Sequence, residues 1–66
     1  MKGPQTKPTV KLIGQDGNAF SIMGRVKKAL MLAGADKEYI EKYLKESTVG
    51  DYGYLLAVSM EYVNVE

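Results

Sequence analysis

The stretch that decides the fold is Asn18 to Gly34, NAFSIMGRVKKALMLAG. Seven of its apolar residues fall at positions 19, 22, 23, 26, 29, 30 and 33, which is the spacing of one helical face. Asn18 suits the N-cap, and Gly34 suits the position just after the last turn. The stretch is therefore predicted to form a central amphipathic helix that the other elements cover.

Glycine inside this helix needs an explanation, because it costs about 0.8–1 kcal/mol relative to alanine. We expect another backbone to approach closely at Gly24, either that of the third helix or that of a second subunit. Gly53, near the start of the third predicted helix, is a second candidate for close packing.

Two further helices follow. The second is predicted over Asp36 to Ser47, with Asp36 as its cap and a buried stripe of Tyr39, Ile40, Tyr43 and Leu44. The third extends to about Glu61. Thr48 and Asp51 have capping-box spacing, which makes Thr48 the N-cap of this helix; Asp51 as the N-cap is the alternative.

Short strands are predicted at both ends. Thr9 to Ile13 is rich in β-branched residues and directs Val10 and Leu12 inward, while Tyr62 to Glu66 alternates between apolar and polar. If the two strands pair, the order is β-α-α-α-β, a small α+β domain over residues 9–66 behind a disordered arm over residues 1–8. A three-helix bundle is the alternative.

The loop from Gly14 to Asn18 has two other interpretations. Its Asp-Gly pair could open a β-hairpin with Ala19 to Met23, although that segment alternates poorly. As a glycine-rich turn before a helix it could bind an anion, but it lacks the Walker lysine and Asp16 would repel the ligand. A plain connection is the preferred interpretation.

Composition limits the chemistry. The 66 residues include no cysteine and no histidine, so a disulfide, a thiolate or imidazole zinc site and the commonest catalytic groups are lacking. We expect no enzyme, no cofactor and no metal.

The chain shows no secretory signal and no long apolar run, which favours the cytoplasm and no membrane association. So small a core needs close packing or self-association, such as a homodimer.

A family resemblance covers roughly residues 10–66. KLIGQDGNAFSIMGRVKKALMLAG, GDYGYLL and the closing YVNVE resemble a family of short uncharacterised proteins from bacteria and their phages. The resemblance is most specific in KLIG-x-DGNAF and GRV. It implies a self-contained domain and supplies no activity or site residues.

Charge divides the chain into two halves. Residues 1–34 carry six cations against Asp16 alone, a net charge of +5, and residues 35–66 carry three cations against seven acids, a net charge of −4. Contact with nucleic-acid phosphates is therefore one hypothesis. Its candidate residues are Lys11, Arg25, Lys27 and Lys28. A helix-turn-helix is disfavoured, because the second helix is rich in glutamate and has no Arg, Asn or Gln to read bases.

Surplus apolar and aromatic residues support a different function. The candidate interface residues are Ile13, Gly24, Met31, Tyr52 and Tyr54. Tyrosine suits interfaces, since it has an apolar body and a polar tip. The sequence thus favours a small non-enzymatic interaction module that binds another protein or itself, with no small-molecule substrate. A nucleic-acid-binding accessory protein is the alternative.

Overall fold

A computed structural model describes residues 1–12 and 17–66 and shows the predicted α+β order. The elements are β1 (Thr9–Val10), α1 (Ala19–Leu32), α2 (Lys37–Ser47), α3 (Tyr52–Tyr62) and β2 (Asn64–Val65). The hairpin alternative is wrong, because Ala19 to Met23 forms the start of α1. Ile13 and most of the glycine-rich loop lie outside the described residues.

The two terminal strands pair with each other in parallel within one chain. Thr9 is opposite Asn64 and Val10 is opposite Val65. The Glu66 amide donates to the Val10 carbonyl and the Leu12 amide donates to the Glu66 carbonyl, each at 2.9 Å. Parallel pairing needs a long crossover, which the three helices supply. β1 is shorter than the predicted strand, but Val10 is buried as expected.

Local signals set both ends of α1 as predicted. The Asn18 side chain accepts a hydrogen bond from the Phe20 amide at 2.8 Å. At the other end, Gly34 has a φ of +99°, a conformation that other residues adopt only with strain. The Ala35 amide then donates to Leu30 at 2.9 Å and the Gly34 amide to Met31 at 3.1 Å, which is the Schellman arrangement.

The start of α3 corrects the preferred capping prediction. The Thr48 hydroxyl donates backward to the carbonyls of Leu44 at 3.0 Å and Lys45 at 3.2 Å. It therefore provides a hydrogen-bond donor for carbonyl groups at the end of α2. Asp51 is the N-cap of α3, since its side chain accepts from the Tyr54 amide at 2.9 Å. The alternative is therefore confirmed.

Helix α1 packs its inner side into the core between the β1–β2 pair and the other two helices. Val26 and Leu30 on α1 are fully buried, and so are Tyr43 on α2 and Val63 after α3. The Tyr43 hydroxyl lies 2.7 Å from the Ser59 hydroxyl, so two buried polar groups satisfy each other. This arrangement joins α2 to α3 through the middle of the core.

The glycine predictions are wrong within the chain. A Cβ built on Gly24 would meet no described atom within 4 Å, so α3 does not approach it. A Cβ on Gly53 would meet only Asp51 Oδ1, at an ordinary 3.5 Å. Close packing occurs instead at Gly50, where a Cβ would lie 2.7 Å from the Tyr54 side chain. Contact of Gly24 with a second subunit stays a prediction.

The N-terminal arm lies against the connection between α1 and α2. The Gln5 amide donates to the Ala33 carbonyl at 3.0 Å, and the Asp36 amide donates to the Lys2 carbonyl at 2.8 Å. The Lys2 amide in turn donates to Asp36 Oδ2 at 2.6 Å. The disorder expected for residues 1–8 stays a prediction. These hydrogen bonds join Lys2 and Gln5 of the arm to the connection between α1 and α2.

The Tyr43–Ser59 hydrogen bond gives a stability prediction. We expect Tyr43→Phe to lower the free energy of unfolding by about 1–2 kcal/mol, because it leaves a buried hydroxyl unpaired. Adding Ser59→Ala should recover part of that loss, with a coupling energy of about 1 kcal/mol in urea denaturation. Tyr54→Phe, at an exposed site, is the matched control. Additive effects of the two core substitutions would contradict the prediction.

Candidate interaction surface

Helix α1 has an outer face that no described element covers. Ile22, Val26 and Leu30 mark its buried side. Positions 20, 24, 27 and 31 recur at helical spacing on the other side. Phe20, Met31 and Leu32 keep 80%, 55% and 79% of their surface exposed. We define the outer face of α1 by its exposed residues, which are Phe20, Gly24, Arg25, Lys27, Lys28, Met31 and Leu32.

The outer face of α1 is strongly positive. The helix contains Arg25, Lys27 and Lys28 and no acidic residue, so it carries a charge of +3. These cations lie in the middle of the helix. None is in the last turn, which is the position where a cation stabilises the helix dipole best. Lys27 and Lys28 form no ion pair with any carboxylate in the described part of the chain. Their charge is therefore open to a partner.

A groove runs along each side of the outer face. The first, between α1 and α2, encloses about 490 Å³ and has an apolar floor with charged residues at its rim. We call it the α1–α2 groove. It is lined by Lys27, Met31, Ala35, Lys37, Ile40, Glu41 and Leu44. A predicted nucleic-acid residue and a predicted interface residue, Lys27 and Met31, thus meet at one site.

The second groove, between β1 and α1, encloses about 250 Å³, and we call it the β1–α1 groove. It is lined by Thr9, Val10, Lys11, Arg25, Lys28, Ala29 and Leu32. The four predicted nucleic-acid residues are therefore divided. Lys11, Arg25 and Lys28 converge on this groove, and Lys27 lies on the other side of α1.

Two of the other predicted interface residues lie away from Met31. Tyr52 and Tyr54 are each 44% exposed at the start of α3, and neither joins Met31 in a groove beside α1. Gly24 does share the outer face of α1 with Met31. Ile13 lies outside the described residues. Phe20 and Leu32, which sequence reasoning missed, could have been found because neither falls in line with Ile22, Val26 and Leu30.

Shifted titrations lie on α2 and α3, away from the outer face of α1. Burial raises the pKa of Tyr43, and burial together with the hydrogen bond to Glu46 Oε2 at 2.5 Å raises the pKa of Tyr62. The backbone amide of Tyr39 lowers the pKa of Asp36 at the α2 N-cap. Each shift is explained by packing or capping.

Comparison with protein-family models, curated proteins and solved structures finds no match to this chain. Within the described residues, no helix is long and apolar enough to span a membrane. The same residues bring no group of three or more Asp or Glu side chains together as metal ligands. The function must therefore be argued from the outer face of α1 and its two grooves.

Gly24 gives a test of whether a second subunit packs on α1. In the isolated chain, Gly24→Ala should raise the free energy of unfolding by about 0.8–1 kcal/mol, since the added methyl group meets open space. Gly34→Ala should lower it, because its φ is positive. Urea denaturation at low micromolar concentration measures both. A destabilising Gly24→Ala, together with weakened association in sedimentation, would show instead that a backbone approaches there.

Proposed function

We propose that this protein is a non-enzymatic cytoplasmic interaction module that binds another protein through the outer face of α1. The observation that carries the proposal is the exposure of Phe20, Met31 and Leu32 on a helix whose charged residues are all cations. Neighbouring exposed apolar side chains of this kind are typical of contact sites. The lack of cysteine fits a reducing compartment.

The chemistry of this surface supports a partner of a particular kind. Aromatic residues, methionine and arginine are enriched in protein interfaces, and the outer face of α1 carries all three. The α1–α2 groove offers Ala35, Ile40 and Leu44 to an apolar side chain, and Lys27 stands at its rim. A complementary partner therefore presents an apolar residue flanked by carboxylates.

Electrostatics favours a different protein over a second copy on this face. A two-fold dimer places the same patch of each subunit against its counterpart. Such a dimer would bring Arg25, Lys27 and Lys28 of one chain close to the same residues of the other. Like charges in an interface disfavour association. If the protein also self-associates, Tyr52 and Tyr54 offer a surface with fewer cations.

Selection from a random peptide library displayed on phage tests the proposal. We expect independent binders to share an apolar residue beside acidic residues and to compete with one another. Phe20→Ser, Met31→Ser and Lys27→Glu should each weaken their affinity at least tenfold, because each removes part of the outer face of α1. Titration calorimetry measures the change.

A matched variant controls for nonspecific charge effects. Lys45→Glu reverses an exposed cation on α2 and should leave the affinity unchanged. Thermal unfolding should show that every variant stays folded. Binders that depend on α2 or α3 surfaces and ignore Phe20 and Met31 would contradict the proposal.

A second candidate function is nucleic-acid binding, favoured by the convergence of Lys11, Arg25 and Lys28 on the β1–α1 groove. Binding of a short DNA duplex should then weaken steeply as salt rises, because cations on the protein displace counterions. Lys11→Glu with Lys28→Glu should abolish it in fluorescence anisotropy, while Lys27→Glu should have a smaller effect. If Lys45→Glu weakened DNA binding equally, the binding would be a nonspecific electrostatic attraction and not a property of this groove.

A further inference from the structure

The ladder between β1 and β2 leaves one edge of β1 unpaired among the described residues. The Asn64 amide donates to the Pro8 carbonyl at 2.8 Å, and Val10 and Leu12 also bond toward β2. Backbone groups of successive residues in a strand alternate between its two edges. The amides and carbonyls of Thr9 and Lys11 therefore face away from β2.

This free edge borders the β1–α1 groove. Thr9, Val10 and Lys11 line one wall, and the exposed side of α1 forms the other. An unpaired edge is a ready template for an extended chain. The backbone donors and acceptors of Thr9 and Lys11 are thus next to a groove of about 250 Å³.

Side chains around the groove set the chemistry of an added strand. Lys11 and Lys28 are exposed cations without a described ion-pair partner, and Leu32 offers an exposed apolar surface 79% accessible. None of the described residues that line the groove is acidic. A segment that carries carboxylates and small apolar residues in alternation would match both features.

We propose that an extended acidic segment of the partner adds to the free edge of β1 as a third strand. Its backbone pairs with Thr9 and Lys11, its carboxylates contact Lys11 and Lys28, and an apolar side chain packs on Leu32. This inference rests on the proposed function, because it specifies how a partner engages the outer face of α1. Strand addition is an established mode of peptide recognition.

The length of β1 sets the scale of the interaction. Three residues from Thr9 to Lys11 span about 10 Å at the usual rise of a strand. Only a segment of roughly three to five residues can pair there. One short segment therefore binds weakly by itself, and contacts on the rest of the outer face supply further affinity.

Titration with a synthetic peptide, followed in a two-dimensional amide NMR spectrum of the labelled protein, tests the inference. The probe is a capped hexapeptide in which glutamate alternates with valine. We expect shifts centred on Thr9, Val10, Lys11 and Lys28 that saturate at millimolar peptide. The same peptide with alternate amides N-methylated, and one with lysine in place of glutamate, should each bind at least tenfold more weakly.

Two variants separate backbone pairing from charge. Thr9→Pro removes an outward amide without removing a β1–β2 hydrogen bond or a charge, and Lys28→Glu reverses a charge on α1. Each should weaken peptide binding at least fivefold, whereas Lys45→Glu should not. Thermal unfolding checks that the variants fold. If Thr9→Pro unfolds the domain, the N-methylated peptide decides the role of the backbone.

Several outcomes would overturn strand addition. Equal binding by the N-methylated peptide, unchanged binding to Thr9→Pro, or no shift at millimolar peptide would each do so. Tighter binding of a single-stranded oligonucleotide to the same groove, insensitive to Thr9→Pro, would replace the peptide with nucleic acid. Shifts confined to Phe20 and Met31 would overturn strand addition and keep the proposed function. Binders that avoid the outer face of α1 altogether would reject both.

Discussion

Backbone pairing between the two ends of the chain closes the core of this protein. The β1–β2 ladder brings Val10 and Val63 against Val26 and Leu30, and all four side chains are buried. A chain of 66 residues buries only about 60% of its unfolded surface and here has no disulfide to add. Joining the ends lets one small cluster hold all three helices. The same ladder leaves the other edge of β1 unpaired and places it beside α1.

Features fixed by local chemistry could be predicted from the sequence. Asn18 and Gly34 end α1 as expected, because a cap and a positive φ depend only on neighbouring residues. The role of Thr48 could not be predicted, because the same hydroxyl can cap the helix after it or bond back to the helix before it. The predicted contact between Gly24 and α3 is wrong for a related reason. A glycine in a helix suggests close packing, but only the tertiary arrangement shows whether anything is near.

The residue types of the candidate site could be predicted from the sequence, but which of those residues share a groove could not. The four cations Lys11, Arg25, Lys27 and Lys28 were identified from charge, yet β1 collects three of them in one groove and leaves Lys27 in the other. That division depends on where β1 lies relative to α1, a contact between distant parts of the chain. Phe20 and Leu32 are missed when every apolar residue of the helix is expected in the core, although neither lies in line with Ile22, Val26 and Leu30.

Folding alone does not account for the composition of α1. Apolar burial contributes about 25 cal/mol per Å² removed from water, so Phe20, Met31 and Leu32 add little to stability while they stay exposed. The helix contains three cations within one turn and no acidic residue of its own, and like charges at this spacing weaken a helix by a few tenths of a kcal/mol. In the free chain the exposed apolar side chains contribute little to stability and the clustered cations lower it. Both features would become favourable if the acidic, partly apolar segment proposed above covered the helix. In a small domain, a surface of this kind lowers folding stability unless a partner covers it. This is the physical reason for placing the proposed function on the outer face of α1.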